Sequence, residues 1–196
     1  MNNDLYLEQI KLGPMENFVY LIGSKSTREV SVVDPAWDVP GIIAILDQHY
    51  LELTSILLTH GHFDHTEGLV ALLAYKQVPT YISENELPKL IPTVAGMRLT
   101  QDNDVIQIGQ TRVYVLHTPG HSPGGQCFYA APHLIAGDPC FVFKRLGGLW
   151  KNIRKTNETK KDKETEESSA SIRPPSTHRA LTGDHSADQD ANGHPF

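Results

Sequence analysis

The segment Thr59-His60-Gly61-His62-Phe63-Asp64-His65 constrains this chain more than any other, because four ligand-type side chains fall within six residues at the end of an apolar run, Ser55 to Thr59. Each imidazole or carboxylate at a buried strand end needs a partner, and a shared cation satisfies several at once. Histidines at i and i+2 of an extended segment project to one side, so His60 and His62 can grip one ion. Asp64 and His65 follow where the chain is expected to turn into a helix, and can reach a second ion beside the first. Two later segments supply further ligands. In Leu116-His117-Thr118-Pro119-Gly120-His121 the Pro-Gly pair predicts a tight turn that aims His121 back at the first ion, leaving His117 a structural or supporting role. Ile135-Ala136-Gly137-Asp138 ends an apolar run in a carboxylate, whose two oxygens can bridge two cations.

The surrounding pattern alternates strands and helices. Leu5 to Ile10, Phe18 to Ile22 and Val30 to Val33 read as an antiparallel meander, and Val39 to Tyr50 as a helix with one buried face. Ser55 to Thr59 reads as a buried strand and Thr66 to Tyr75 as a second helix. Further strands are expected at Thr80 to Ser83, Val105 to Ile108, Arg112 to Leu116, Gln126 to Ala130 and Leu134 to Ala136. The fold class is α/β (α+β), with sheets covered by helices. Cys127 and Cys140 are too few and too far apart for a disulfide framework and are expected to be reduced, partly buried thiols.

At its histidine and aspartate motifs the sequence resembles the metallo-β-lactamase superfamily, in the style of the small glyoxalase-II-like (hydroxyacylglutathione hydrolase-like) hydrolases. The resemblance spans about residues 5 to 143 and rests on Thr59 to His65, His117 to Gly124 and Gly137 to Phe141. It implies an αββα sandwich with His60, His62 and His121 on one metal, Asp64 and His65 on the other, Asp138 bridging, Asp64 the candidate catalytic carboxylate and Asp34 supporting the site from behind. The implied chemistry is zinc-dependent hydrolysis of a small thioester or ester, iron or manganese also being permitted, with one or two ions that lower the pKa of water to roughly 7. Two other readings stay open: a mononuclear iron sulfur dioxygenase on the same fold, and an impaired or truncated member that binds metal weakly.

The resemblance fades near position 144. The Gly-His-Gly-Pro string that completes the family's second metal is missing, and its nearest relic, Thr177-His178-Arg179, makes His178 a candidate ligand with His185 and His194 as rivals. Lys144 and Arg145 are candidates to meet a substrate carboxylate or to be a solvated pair. Residues 151–196 hold only 8 apolar side chains, and no helical face is legible in them. The chain is therefore expected to divide into a folded domain, 1–150, and a polar, disordered tail, 151–196. A shift of reading frame would leave such a boundary.

Charge narrows the partners. The net charge of −6 lies wholly in the first 150 residues, because the last 46 carry 8 basic and 8 acidic side chains. Nucleic acid is not an expected partner, since phosphate neutralisation needs a basic excess. Nor is a membrane, since no stretch nears the roughly 18–20 apolar residues of a spanning helix. A polar start without a signal-peptide pattern predicts a cytoplasmic location. Oligomeric state is not legible.

Overall fold

A computed structural model of the chain describes residues 4–11, 17–86 and 94–138. The three opening runs form β1 (Leu5–Lys11), β2 (Phe18–Ser24) and β3 (Glu29–Val33), the expected antiparallel meander. From β3 the chain crosses through α1 (Val39–Gln48) to β4 (Glu52–Leu57), which lies parallel to β3. Asp38 caps α1 by accepting from the Gly41 N–H at 3.1 Å, with Pro40 in the first turn. After β4 come α2 (Phe63–Thr66), α3 (Leu69–Tyr75), β5 (Thr80–Ser83) and β6 (Met97–Thr100), the last two strands also parallel to their neighbours. The result is a six-stranded sheet in sequence order. A second sheet of four strands has the order β10-β9-β8-β7, from β7 (Val105–Ile108), β8 (Thr111–His117), β9 (Gln126–Ala130) and β10 (His133–Ala136), all antiparallel.

The inner strands of the six-stranded sheet are buried on both faces, which is why they read as continuous apolar runs. Val32, Ile56 and Leu21 point towards Ile42 and Leu46 of α1 and Leu69 and Leu72 of α3. The neighbouring positions Val33, Leu57 and Ile22 point the other way, against Val113, Val115, Phe128 and Ile135 of the second sheet. The period of two thus builds a helix layer and two sheet layers, three of the four layers of the sandwich. The helix layer outside the second sheet is not among the described residues. No described helix is long and apolar enough to cross a membrane.

Four local expectations need correcting. The helix predicted over Thr66 to Tyr75 begins earlier and is broken, because Gly68 donates its N–H to the Pro35 carbonyl at 2.8 Å and a Cβ there would strike that oxygen at 2.6 Å. The first helix stops at Gln48, since Tyr50 takes a left-handed φ of 53°. β4 runs from Glu52 to Leu57, leaving Thr59 beyond the strand. β6 carries only one buried residue in four, so its apolar pattern is too weak to read as a strand. The predicted boundary near residue 150 and the tail 151–196 lie outside the described residues, as do Cys140, Lys144, Arg145, His178, His185 and His194. Cys127 is buried, as expected.

Candidate metal centre

Four chain segments end at one edge of the sandwich. Asp34 follows β3, Thr59 to His62 follow β4, the loop 118–125 joins β8 to β9, and Gly137-Asp138 follow β10. Parallel β3 and β4 bring their carboxyl ends together, and the Asp34 N–H donates to the Leu57 carbonyl at 3.0 Å. The loop is tied across to the first sheet, because Gln126 donates its backbone N–H to the Thr59 carbonyl and its side-chain amide to the Leu58 carbonyl, each at 2.8 Å.

His60, His62 and His121 converge. His60 Nε2 lies 3.1 Å from His62 Nδ1, and His121 Nε2 lies 2.8 Å from the same atom. The three rings stand nearly perpendicular to one another, with interplanar angles of 79° to 83°. Nitrogens about 2.0–2.1 Å from a tetrahedral zinc ion would stand roughly 3.3 Å apart, so the trio has nearly the spacing of one ion's ligands. Asp64 and His65 lie on α2 instead of before a helix at Thr66, which is the one change to their expected setting. His65 Nε2 is buried with no hydrogen-bond partner, 3.7 Å from Asp64 Oδ2 and 3.5 Å from Asp138 Oδ1. Asp138 Oδ2 lies 3.4 Å from His121 Nε2. The two oxygens of Asp138 therefore face the two histidine groups, one each.

Asp34 organises both groups. Its Oδ1 accepts from the Thr59 N–H at 2.7 Å, and its Oδ2 accepts from Thr59 Oγ1 at 2.5 Å and from His65 Nδ1 at 3.0 Å. With its own proton given to Asp34, the Thr59 hydroxyl is an acceptor for His60 Nδ1–H at 3.1 Å. Both imidazoles then carry their proton on Nδ1 and present a free Nε2 lone pair to the centre. The ligand atoms of Asp34, His60 and His65 also lie within 4.8 Å of one another. These hydrogen bonds occupy both oxygens of Asp34, so that trio braces the site and the outer one is the better cation cradle.

Burial holds the His60 imidazolium down to a pKa of about 4, with the neighbouring His65 adding to the effect. Burial works the same way on His65, but the Asp34 hydrogen bond and the charges of Asp34, Asp64 and Asp138 outweigh it and raise its pKa. For Asp64, burial is outweighed by the Asn17 hydrogen bond and by His65, so its pKa is lowered. Asn17 donates through Nδ2 both to Asp64 Oδ2 at 3.1 Å and to the Asp64 carbonyl at 2.8 Å. Gly137 admits no side chain, since a Cβ would meet Thr59 Oγ1 at 2.2 Å.

Beside His65 and Asp138 opens a cavity of about 380 Å³ whose walls include Phe18, Tyr20 and Leu134, with Gln9 and Asn17 as polar lining. His117 ends β8 outside the converging trio, its backbone N–H held by Asp102 at 2.8 Å. Sequence reasoning missed Thr59 as the hydrogen-bonded link between Asp34 and His60, Asn17 as the support of Asp64 and Gln126 as the tie between sheets. Thr59 adjoins the motif and offered a weak signal. Asn17 and Gln126 offered none, being remote in sequence and ordinary in context.

A β-sandwich that gathers four imidazoles and two carboxylates at one edge has the donor set of a class of metal-centre proteins. The chain belongs to the metallo-beta-lactamase superfamily, whose family pattern matches residues 12–138. It is 32% identical over 126 residues to PksB of Bacillus subtilis (strain 168), a probable polyketide biosynthesis zinc-dependent hydrolase, a match covering 64% of this chain and 56% of that protein. It is also 32% identical over 127 residues to the hydroxyacylglutathione hydrolase of Baumannia cicadellinicola subsp. Homalodisca coagulata, covering 65% of this chain and 47% of the relative. The chain thus spans about half the length of the curated relatives it matches. Among solved structures it is similar to ETHE1 from Myxococcus xanthus, with a TM-score of 0.58 and 25% identity over 66% of this chain and 55% of that one.

Proposed function

We propose that the protein is a metal-dependent hydrolase of small thioesters or esters, similar in chemistry to hydroxyacylglutathione hydrolases. The observation that carries this reading is the meeting of His60 Nε2, His62 Nδ1 and His121 Nε2 beside the unpartnered, buried His65 Nε2. An imidazole nitrogen without a partner at a buried position is costly unless a cation takes its lone pair. On this reading His60, His62 and His121 hold one ion, Asp64 and His65 hold a second, and Asp138 reaches both. Zinc is the ion best suited to imidazole and carboxylate donors, with iron and manganese also compatible. When bound, such ions supply an activated water near neutral pH and polarise the substrate carbonyl.

The chain's own residues do the rest. Asp34 fixes the proton on Nδ1 of His65 and, through Thr59, on Nδ1 of His60. Asn17 holds the Asp64 carboxylate in its ionised form and aims it. The cavity walled by Phe18, Tyr20 and Leu134 gives an acyl group an apolar surface within reach of the centre. The names of the relatives, a zinc-dependent hydrolase and a hydroxyacylglutathione hydrolase, support the same chemistry.

The decisive experiment measures metal content per chain together with hydrolysis of a generic thioester before and after chelation. Two zinc ions and turnover lost on chelation support the proposal, with His62→Ala abolishing turnover. One iron per chain with oxygen consumption and no hydrolysis would replace it with the dioxygenase reading. About one weakly held ion without turnover would mark an impaired family member.

A further inference from the structure

We propose that Glu86 is a positioning residue for the three-histidine cradle, a buried carboxylate that clamps the loop bearing His60 and His62 to the loop bearing His121. This inference rests on the metal-centre reading above. Glu86 lies in the turn that follows β5 and is only 2% exposed. Its Oε2 accepts from the Gly61 N–H at 3.2 Å, and its Oε1 accepts from the Gly124 N–H at 2.5 Å. Gly61 is the single residue between His60 and His62, and Gly124 lies three residues beyond His121.

A buried carboxylate is expensive unless its lone pairs are met, and here two peptide N–H groups from separate histidine loops meet them. The Gly61 N–H belongs to the peptide that leaves His60, so fixing it sets the direction in which the chain carries His62. At Gly124 the loop is pressed directly on the clamp, since a Cβ there would lie 2.3 Å from Glu86 Cγ and 2.7 Å from its backbone nitrogen. The glycine is required by that close approach. Gln126 already ties the bases of the two loops at Thr59 and Leu58. Glu86 adds a second tie farther out, and two ties resist rotation where one would act as a pivot. Glu86 has no ligand atom in the cradle itself, so its effect passes through the placement of the histidines.

The test compares the full chain with Glu86→Gln, which keeps the shape but turns one acceptor into a donor facing a peptide N–H. Glu84→Gln, on the same turn and exposed, serves as the control. Cobalt(II) is titrated into metal-free protein, and its visible absorption reports the number and geometry of its ligands. The expected result is a 10- to 100-fold weaker cobalt affinity and an altered absorption band for Glu86→Gln, with Glu84→Gln unchanged. A folded Glu86→Gln protein with the parent's affinity and band overturns the proposal. Should that variant fail to fold, amide hydrogen exchange in the metal-free parent decides: slow exchange at both Gly61 and Gly124 upholds the clamp, and fast exchange at either removes it. A parent cobalt spectrum unaffected by His62→Ala would instead sink the metal-centre reading, with the clamp still judged by the two amides.

Discussion

Asp34→Asn is the most informative single change, because it alters one atom and reverses a chain of hydrogen bonds. The carboxylate accepts three donors: the Thr59 N–H at 2.7 Å, the Thr59 hydroxyl at 2.5 Å and His65 Nδ1–H at 3.0 Å. An amide has one oxygen and one NH₂ to put in their place. If the oxygen stays on the Thr59 N–H, the NH₂ faces the hydroxyl and the imidazole, and both must become acceptors. The Thr59 hydroxyl would then give its proton to His60 Nδ1, and both histidines would carry their remaining proton on Nε2, where the ion is to bind. If the amide flips, its NH₂ confronts the Thr59 N–H across 2.7 Å, donor against donor. Either way all three charge-assisted bonds become neutral or are lost, at about 1 kcal/mol each, so the metal-free protein should lose roughly 3 kcal/mol of stability. The larger effect falls on metal binding, which should weaken about 10- to 100-fold at both groups, or about 1.4 to 2.7 kcal/mol apiece. Chelator competition gives the affinities, and ¹⁵N shifts of the imidazoles give the tautomers directly. Two ions bound with parental affinity, or unchanged ring tautomers, would refute the assignment of Asp34.

Other consequences follow from packing and burial. Phe128→Ala, at the middle of the interface between the sheets and fully buried, should cost about 3–5 kcal/mol in denaturant unfolding. Gly137→Ala should displace the Thr59 hydroxyl, lowering stability by about 1–3 kcal/mol and reducing metal content measured by atomic absorption. Because burial lowers the pKa of His60 to about 4, the unfolded chain takes up its proton first as pH falls. Metal-free protein should therefore keep this contribution above about pH 6.5 and lose it progressively between there and pH 4, as followed by urea midpoints. Burial also raises the pKa of the Cys127 thiol, so alkylation by iodoacetamide at pH 8, read by mass spectrometry, should be far slower in the native than in the unfolded chain.

The sequence was legible where one physical requirement dominated. The doubly apolar runs of β3 and β4 declared themselves because both their faces are covered, and the dense motif beginning at His60 pointed to metal ligation because few arrangements satisfy so many imidazoles and carboxylates at one strand end. The break at Gly68 was not legible, since it answers to the Pro35 carbonyl, a partner 33 residues away. β6 escaped notice because an edge strand with one buried side chain has almost no period to detect. Asp34 could be placed only by resemblance, as an Asp-Pro pair at a strand end is also an ordinary turn. The structure adds the hydrogen bonds that give it a task.

β4 lies inside the six-stranded sheet, with β3 on one side, β5 on the other and apolar layers above and below. His60 and His62 hang from the end of this enclosed strand, so fraying at the molecule's margins should leave their footing intact. Heat or denaturant that detaches them must first dissolve nearly everything else, and disappearance of the centre should coincide with collapse of the whole fold.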